Sequence, residues 1–394
     1  MNVYSKVPQN ALKLSLLSAR KLHLHFDEYF ASVQTKSANP ALFNLDLHIS
    51  VMRDLQQELQ ARSMKTMQWS ISGSNRFSRS IYKIADPVDV VNSQTWSALD
   101  EVLISQFENR YRKFLSRFDG FIVTHTPAFA QLYRNFNKPI LVLNSTRYEA
   151  PYTNHESRWR DLDNYLVDAV AKKTLLLASN NLGDADYLKY RTGIDSQVVP
   201  SFCDYTKLIW KPGGTRKVII SRSPEVEDFV ENLTCGEWQG IRKIMGNNYN
   251  WRQYLDVKEI LYIPYNISTM SLFEFATAGI PVVVPSRDFL KQLSLTYSGI
   301  LSELSYFQVG GFPVDRLTVD DPNNYLSEEF QDWWLTRADF YNEKLMPNVR
   351  VIDDFSELNT NRLLGESYLH SIEIRNSVVY EKRKKLIGSF TEML

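Results

Sequence analysis

The sequence has few cysteines, no net charge and no long apolar run. Cys203 and Cys235 are its only cysteines in 394 residues, and neither has a His or Cys neighbour at metal-ligand spacing. We interpret both as reduced thiols in the core of a cytosolic protein. Lys plus Arg and Asp plus Glu number 45 each, so no overall positive field favours binding to nucleic acid.

The apolar residues do not form a membrane segment. No run approaches the ~20 apolar residues that a membrane span needs. Lys13 and Arg20 interrupt the first twenty residues, which therefore lack the apolar stretch of a signal peptide. We expect a cytoplasmic protein. Contact of the basic run at 382–385 with an anionic membrane surface is the alternative to a solvated basic face.

Several nucleotide and metal motifs are also missing. The chain has no Walker loop, no G-x-G-x-x-G after a strand and no H-E-x-x-H. Their absence argues against the usual nucleoside triphosphatases, dinucleotide-binding oxidoreductases and zinc proteases.

What the chain does contain is an alternation of strand and helix patterns. A hydrophobic content of 44% is enough to fill well-packed cores. A chain of this length suits two domains of about 150 to 200 residues. Apolar runs predict strands at 45–50, 66–71, 88–92, 120–124, 139–143, 175–179, 197–200, 218–221, 260–263 and 282–284. Alternation with helices predicts an α/β protein with parallel sheets.

Helices are predicted where apolar residues recur at helical spacing. One helix begins at about residue 52, after the first strand, another begins at Pro127, and a short one ends near residue 193. The others cover residues 103–118, 159–172, 272–278 and 366–393. The K-P-G-G core of residues 203–216 breaks both patterns and marks a domain linker. We therefore predict domains at 1–205 and 206–365, followed by a C-terminal helix at 366–394. Residues 310–346 show no period and receive no assignment.

The most informative stretch is KEILYIPYNISTMSLFEFATAGIPVVVPSR at 258–287. It contains a strand, a turn, a helix closed by Gly279 and Pro281, and a second strand. In open parallel sheets, ligands bind where strands end and helices begin. Ser268, Thr269 and Ser271 therefore lie beside the amides of a helix N-terminus, where a diphosphate can bind.

The segment E-F-A-T-A-G-I-P-V-V that begins at Glu274 resembles the donor-site signature of glycosyltransferases with the two-domain GT-B fold. That resemblance implies two Rossmann-like domains facing a central cleft, with a C-terminal helix that crosses back to the first domain. It also implies that Glu274 holds the ribose of the nucleotide. Many retaining members carry an acidic residue eight positions earlier, where this chain has Asn266, so inverting transfer is favoured. The alternative role for Glu274 is structural, in a capping box with Ser271.

The resemblance implies a glycosyltransferase that moves a sugar from a nucleotide-sugar donor to the hydroxyl of a glycan or other acceptor, with no metal and no cofactor. Two alternatives stay open. One is a sugar-nucleotide epimerase or hydrolase on the same fold. The other is a GT-B-like subunit that binds without catalysis.

Polar residues at the predicted strand ends supply the candidate catalytic and acceptor groups. Some inverting GT-B enzymes place a catalytic His just after the first strand, and His48 has a similar position. Asp54 on the following helix orients this imidazole or acts as base itself, and His125 is a second candidate. The structural alternative is a hydrogen-bonded core histidine. Arg147 and Glu149 follow another strand and form either an acceptor site or a salt bridge.

Two further charged groups concern the diphosphate. Arg222 ends a strand and is placed to neutralise the leaving diphosphate, and a surface pair with Glu225 is the alternative. Asp184 and Asp186 form the D-x-D pattern with which glycosyltransferases of the other major fold hold a divalent cation. Acidic residues at a helix start also stabilise the helix dipole, so we assign no metal site.

Overall fold

The computed structural model describes residues 39–47, 49–71, 90–92, 94–246, 250–359 and 367–394. The candidate base His48 lies outside the described residues. The described chain clusters into two compact units. The first contains the chain up to Ala178, with Thr192–Ile194 and Ile387–Leu394, and the second contains Ser179–Arg191 and Asp195–Leu386.

The first sheet has six strands in the order β2-β1-β3-β4-β5-β6. Its strands are β1 (Ala41–Asp46), β2 (Lys65–Ser70), β3 (Gly120–Val123), β4 (Ile140–Asn144), β5 (Leu175–Ser179) and β6 (Gln197–Val198). β1 pairs in parallel with β2 and with β3, and β3 pairs in parallel with β4. The helices between these strands are α1 (Ile49–Ala61), α2 (Glu101–Leu115), α3 (Glu156–Ala171) and α4 (Leu182–Thr192).

The second sheet has five strands in the order β11-β10-β9-β7-β8, and all of its pairs are parallel. Its strands are β7 (Arg216–Ile220), β8 (Trp238–Gly240), β9 (Val257–Tyr262), β10 (Val282–Pro285) and β11 (Val349–Ile352). The helices that follow α4 are α5 (Pro224–Leu233), α6 (Ile241–Met245), α7 (Met270–Ala278), α8 (Arg287–Thr296), α9 (Tyr306–Gly310), α10 (Glu329–Leu335) and α11 (Ser367–Thr391). Two parallel sheets with interleaved helices confirm the predicted α/β class with two Rossmann-like domains. The domain boundaries given above stay predictions.

Aromatic packing fills the first unit. Phe43 of β1 is fully buried, and its ring meets those of Phe114, Phe118 and Tyr133 edge-on or tilted. Tyr133 stacks flat on Phe121 of β3, with 4.3 Å between ring centroids. The apolar face predicted for α2 thus packs onto the sheet as its periodicity requires.

The C-terminal segment also contributes to this unit. Leu394 packs against Gly120 at the start of β3 so closely that a Cβ there would lie 2.7 Å from Leu394 Cδ2. Gly388 lies near Arg62, which follows α1, and a Cβ added at Gly388 would lie 3.7 Å from the guanidinium. Residues from the far end of the sequence therefore help to fill the first unit.

Two strand predictions differ from the structure. The first strand ends at Asp46 rather than at residue 50, because the Asp46 carboxylate accepts a hydrogen bond from Leu47 N–H and turns the chain. Residues 90–92, which the apolar pattern predicts to end a strand, form bends. Asn92 Oδ1 accepts bonds from Gln94 and Thr95 N–H, and this local turn replaces strand pairing.

Smaller differences concern a helix type and a thiol. The helix that begins at Pro127 is a 3-10 helix, Pro127–Tyr133. Cys203 is buried, but Cys235 is exposed, so the prediction of two core thiols is wrong for Cys235. Within the described residues, no helix is long and apolar enough to cross a bilayer.

Candidate functional site

The turn at 266–269 lies between the carboxyl end of β9 and the start of α7. Thr269 is the N-cap residue of α7, and Gly279 ends the helix in the left-handed conformation with φ of 77°. A residue with a Cβ is strained at this φ, so a glycine suits the C-cap. The predicted order of strand, turn, helix and strand is therefore present in the second sheet.

The N-terminus of α7 has no side-chain cap in the described structure. The Thr269 hydroxyl lies 2.9 Å from the Tyr262 hydroxyl instead. Ser271 lies inside the helix, so the alternative capping box of Ser271 and Glu274 is not formed. The Thr269 side chain therefore does not cap the positive end of the helix dipole, and of the first-turn amides that of Leu272 donates to the Thr269 carbonyl over 3.1 Å.

Arg222 is held beside this turn. Its guanidinium lies over the ring of Tyr265, with 3.3 Å between the guanidinium carbon and the ring centroid. It also forms an ion pair with Glu303 rather than with Glu225, which accepts from the Ser223 hydroxyl. Tyr265 immediately precedes the 266–269 turn, so a cation lies next to the proposed diphosphate position.

Glu274 lies in the second turn of α7 and is only 6% exposed. Its Oε1 accepts a hydrogen bond from the Tyr205 hydroxyl. Tyr205 belongs to a short 3-10 turn whose flanking residues, Cys203 and Lys207, both have left-handed backbone with φ of 57° and 52°. Such residues pay a conformational cost, which the surrounding contacts must offset. Tyr205 is therefore held against Glu274 by a strained segment.

The 266–269 turn is also braced by α4 and by Asp339. The Ser268 hydroxyl donates to Asp339 Oδ2 over 2.7 Å, and Asp339 N–H donates to the Ile267 carbonyl over 3.3 Å. Ile267 packs against Gly183 of α4, and a Cβ at that glycine would overlap its side chain. Burial raises the pKa of the Asp339 carboxyl to about 7, against the opposing bond from Ser268, and the nearby charge of Asp184 raises it further.

Asp184 and Asp186 have protein partners. Asn181 accepts from Asp184 N–H over 2.8 Å and donates to the Asp184 carboxylate over 2.6 Å, which caps the start of α4. Asp186 forms an ion pair with Arg337, whose guanidinium also lies over the ring of Trp333. In the parts of the chain that the structure describes, no group of three or more His, Cys, Asp or Glu residues could hold a metal ion.

In the first unit, the Asp46 carboxylate joins the ends of β1 and β3. It accepts bonds from the backbone N–H and the hydroxyl of Thr124, and from the N–H groups of Leu47 and His125. Burial raises the pKa of the Asp46 carboxyl to about 6, and these hydrogen bonds limit the rise. The same network fixes the loop that carries His125.

The remaining first-unit candidates lie near this loop or on α1. Ser145 N–H donates to the His125 carbonyl, and the Thr126 hydroxyl donates to the Ala150 carbonyl, so the loops after β3 and β4 are bonded together. The side chains of Asp54, His125, Arg147 and Glu149 are all buried. Each has further protein contacts.

The structure thus groups the candidates in two sets. The donor candidates lie around the start of α7 in the second unit: Arg222, Ser268, Thr269, Ser271 and Glu274. The catalytic and acceptor candidates Asp54, His125, Arg147 and Glu149 belong to the first unit. Sequence reasoning missed three residues. Asp46 had a signal, because it is a polar residue at a strand end. Tyr205 and Asp339 had none, because they lie 69 and 71 positions from their partners.

No family model and no curated protein matches the chain. Three solved structures are similar to it at low identity. The glycotransferase of kitacinnamycin is 11% identical, with a TM-score of 0.36, and the match covers 89% of this chain and 95% of the other. UGT73P12 of Glycyrrhiza uralensis, complexed with glycyrrhetinic acid 3-O-monoglucuronide, is 11% identical, with a TM-score of 0.34 and coverage of 90% and 96%.

The third structure contains accessory secretory proteins 1, 2 and 3 of Streptococcus pneumoniae. It is 13% identical with a TM-score of 0.33, and the match covers 75% of this chain and 58% of the other. Similarities at this level assign the chain to no family.

Proposed function

We propose that the protein is a cytoplasmic glycosyltransferase that transfers a sugar from a nucleotide-sugar to an acceptor hydroxyl without a metal ion. The observation that carries this proposal is the 266–269 turn, which leads from β9 into the uncapped N-terminus of α7 beside the Arg222 guanidinium. A helix N-terminus and a cation together suit a diphosphate. The same groups stabilise negative charge as the nucleotide diphosphate leaves.

Two charges in this site have internal partners that a ligand would replace or share. Arg222 would exchange part of its pairing with Glu303 for a phosphate oxygen. Its stacking on Tyr265 keeps the guanidinium beside the turn while this happens. Glu274 is placed to accept from a ribose hydroxyl, in competition with Tyr205. Binding therefore involves an exchange of hydrogen bonds rather than the filling of a vacant site.

The acceptor side of the proposal lies in the first unit. Arg147 and Glu149 would bind acceptor hydroxyls, and inverting transfer requires a base that removes the acceptor proton as the sugar bond breaks. His48 is our proposed base, with Asp54 or His125 in that role as the alternatives. The Asp46 network supports the loop of His125 through a backbone bond.

The first test of the proposal measures the binding of nucleotide-sugars, before any measurement of sugar transfer. The protein is incubated with UDP-glucose, GDP-mannose and ADP-glucose, and the melting temperature is recorded, because a ligand of the folded state raises it. Glu274→Gln is compared by calorimetry with Glu343→Gln, a matched control at an exposed position. Loss of a charge-assisted bond, worth about 1.5 to 3 kcal/mol, should weaken binding to the first variant roughly tenfold or more.

Three results would contradict the proposal. Failure of all three nucleotide-sugars to bind would remove it. Equal affinities for the two variants would remove the ribose role of Glu274. Release of free nucleotide with no transferred sugar, over a broad acceptor panel, would indicate a hydrolase instead.

A further inference from the structure

The buried Asp339 carboxyl lies directly behind the hydroxyl of Ser268. Ser268 Oγ is 2.7 Å from Asp339 Oδ2, and the carboxyl also accepts a bond from the N–H of Leu182, the first residue of α4. Asp339 is 3% exposed, whereas Ser268 is partly exposed to solvent. The hydroxyl therefore lies between a buried acid on one side and the proposed ligand site on the other.

A serine hydroxyl has one hydrogen to donate. When Asp339 is ionised it can only accept, so the Ser268 hydrogen points toward the carboxylate and is not available to a ligand. When Asp339 is protonated, its O–H can donate to Ser268 Oγ. The Ser268 hydrogen is then free to bond to a phosphate oxygen.

We propose that Asp339 is a positioning residue that sets the direction of the Ser268 hydroxyl, and thereby decides whether Ser268 donates to the diphosphate of the donor. This inference rests on the proposed function of the same site. It adds a proton-dependent control to that site, carried by a residue that does not touch the ligand.

The surroundings of Asp339 place the exchange near neutral pH. Burial raises the pKa of its carboxyl to about 7, and the Asp184 carboxylate on α4 adds to this rise. The Ser268 hydrogen bond, the Leu182 N–H and the Arg375 cation on α11 lower the pKa. Asp184 is itself bonded to Asn181. The protonated form is therefore populated at and below neutral pH, and the donating form of Ser268 with it.

The test measures nucleotide-sugar affinity between about pH 5.5 and 8.5. The diphosphate diesters of UDP-glucose, GDP-mannose and ADP-glucose do not titrate in this range, so they do not add a pH dependence of their own. The wild-type protein should bind its preferred probe more tightly at low pH. Affinity should fall roughly tenfold or more as the pH rises through about 7, the effect of losing one bond to a charged acceptor.

Two variants separate the effect of the Ser268 hydroxyl on affinity from the effect of the Asp339 charge. In Asp339→Asn, the Leu182 N–H takes the single carboxamide oxygen, and the amino group is left to donate to Ser268. Affinity should then stay at the low-pH value over the whole range. Ser268→Ala keeps the acid but removes the hydroxyl, so affinity should be weak and independent of pH.

Each result supports or overturns the inference. A pH dependence that persists in Ser268→Ala would show that charge repulsion alone is responsible, and one that persists in Asp339→Asn would place the titration elsewhere. Flat wild-type binding would also overturn the role of Asp339 while leaving the proposed function intact, even if Asp339→Asn did not fold. Absence of binding at every pH would instead remove the proposed function together with the inference.

Discussion

An alanine at position 183 tests whether α4 positions the 266–269 turn. The Cβ of this alanine would overlap Ile267 Cδ1, whereas its next neighbours, Asn181 Oδ1 and Ile267 Cγ1, lie at the ordinary distances of 3.5 and 3.6 Å. One terminal methyl group therefore causes the clash. Ile267→Val removes that methyl group and should let alanine fit.

The magnitudes follow from packing. Overpacking a buried site costs about 1 to 3 kcal/mol. Replacing a helical glycine by alanine returns about 0.5 to 1 kcal/mol, so Gly183→Ala should destabilise by about 1 kcal/mol net. Ile267→Val alone should cost about 0.5 to 1.5 kcal/mol. The double variant should be more stable than the sum of the single effects by the cost of the clash, about 2 kcal/mol, because the clash is absent.

The assay combines denaturant midpoints with nucleotide-sugar affinity for the four members of the cycle. Gly183→Ala should also weaken binding, since Ile267 adjoins Ser268 and the turn must shift to admit the methyl group. Gly388→Ala on α11 is the matched control, because its methyl would meet only the Arg62 guanidinium at 3.7 Å. Additive stabilities with unchanged affinity would refute the claim that α4 braces the turn.

Three further predictions concern other parts of the structure. Tyr205→Phe should tighten nucleotide-sugar binding several-fold by calorimetry, because it removes a competitor for Glu274, and weaker binding would argue that Tyr205 orients the carboxylate instead. Deprotonation of Asp46 should destabilise the fold as the pH rises from about 4 to 6, because the folded state holds this proton more tightly than the unfolded state does. Denaturation measured over this pH range should show a loss of about 3 kcal/mol in the free energy of unfolding of the wild type, and no such loss in Asp46→Asn. Transfer activity should survive EDTA, and loss of activity that manganese restores would identify Asp184 and Asp186 as metal ligands.

The parts of the fold that the sequence predicts are those with local causes. The strand, turn and helix around α7 come from an apolar run, a helical period and a glycine C-cap within thirty residues, and all three are present. Residues 90–92, the described part of the strand predicted at 88–92, form bends because the Asn92 side chain bonds to nearby backbone, and such a turn competes with pairing. Periodicity does not detect that competition.

The candidate site is less predictable for a physical reason. Ser268 can be chosen from its position at a strand end, but the proton state of its partner depends on burial, which is a property of the folded chain. Asp339 lies in the 310–346 interval, where aromatic residues without a period give no assignment. Tyr205 lies in the segment 203–216 that the sequence predicts to be a linker, and only the folded structure brings it to Glu274. Long-range hydrogen bonds of this kind have no signature in spacing.

The packing of Leu394 on Gly120 has a consequence for biosynthesis. A ribosome makes β1 to β5 long before α11, yet residues 387–394 belong to the first unit. That unit therefore cannot reach its final packing while the emerging chain is still being extended through the second sheet. During that interval β3 lacks the cover that Leu394 supplies, and the first unit is more exposed to aggregation or to chaperone binding than its early place in the sequence suggests.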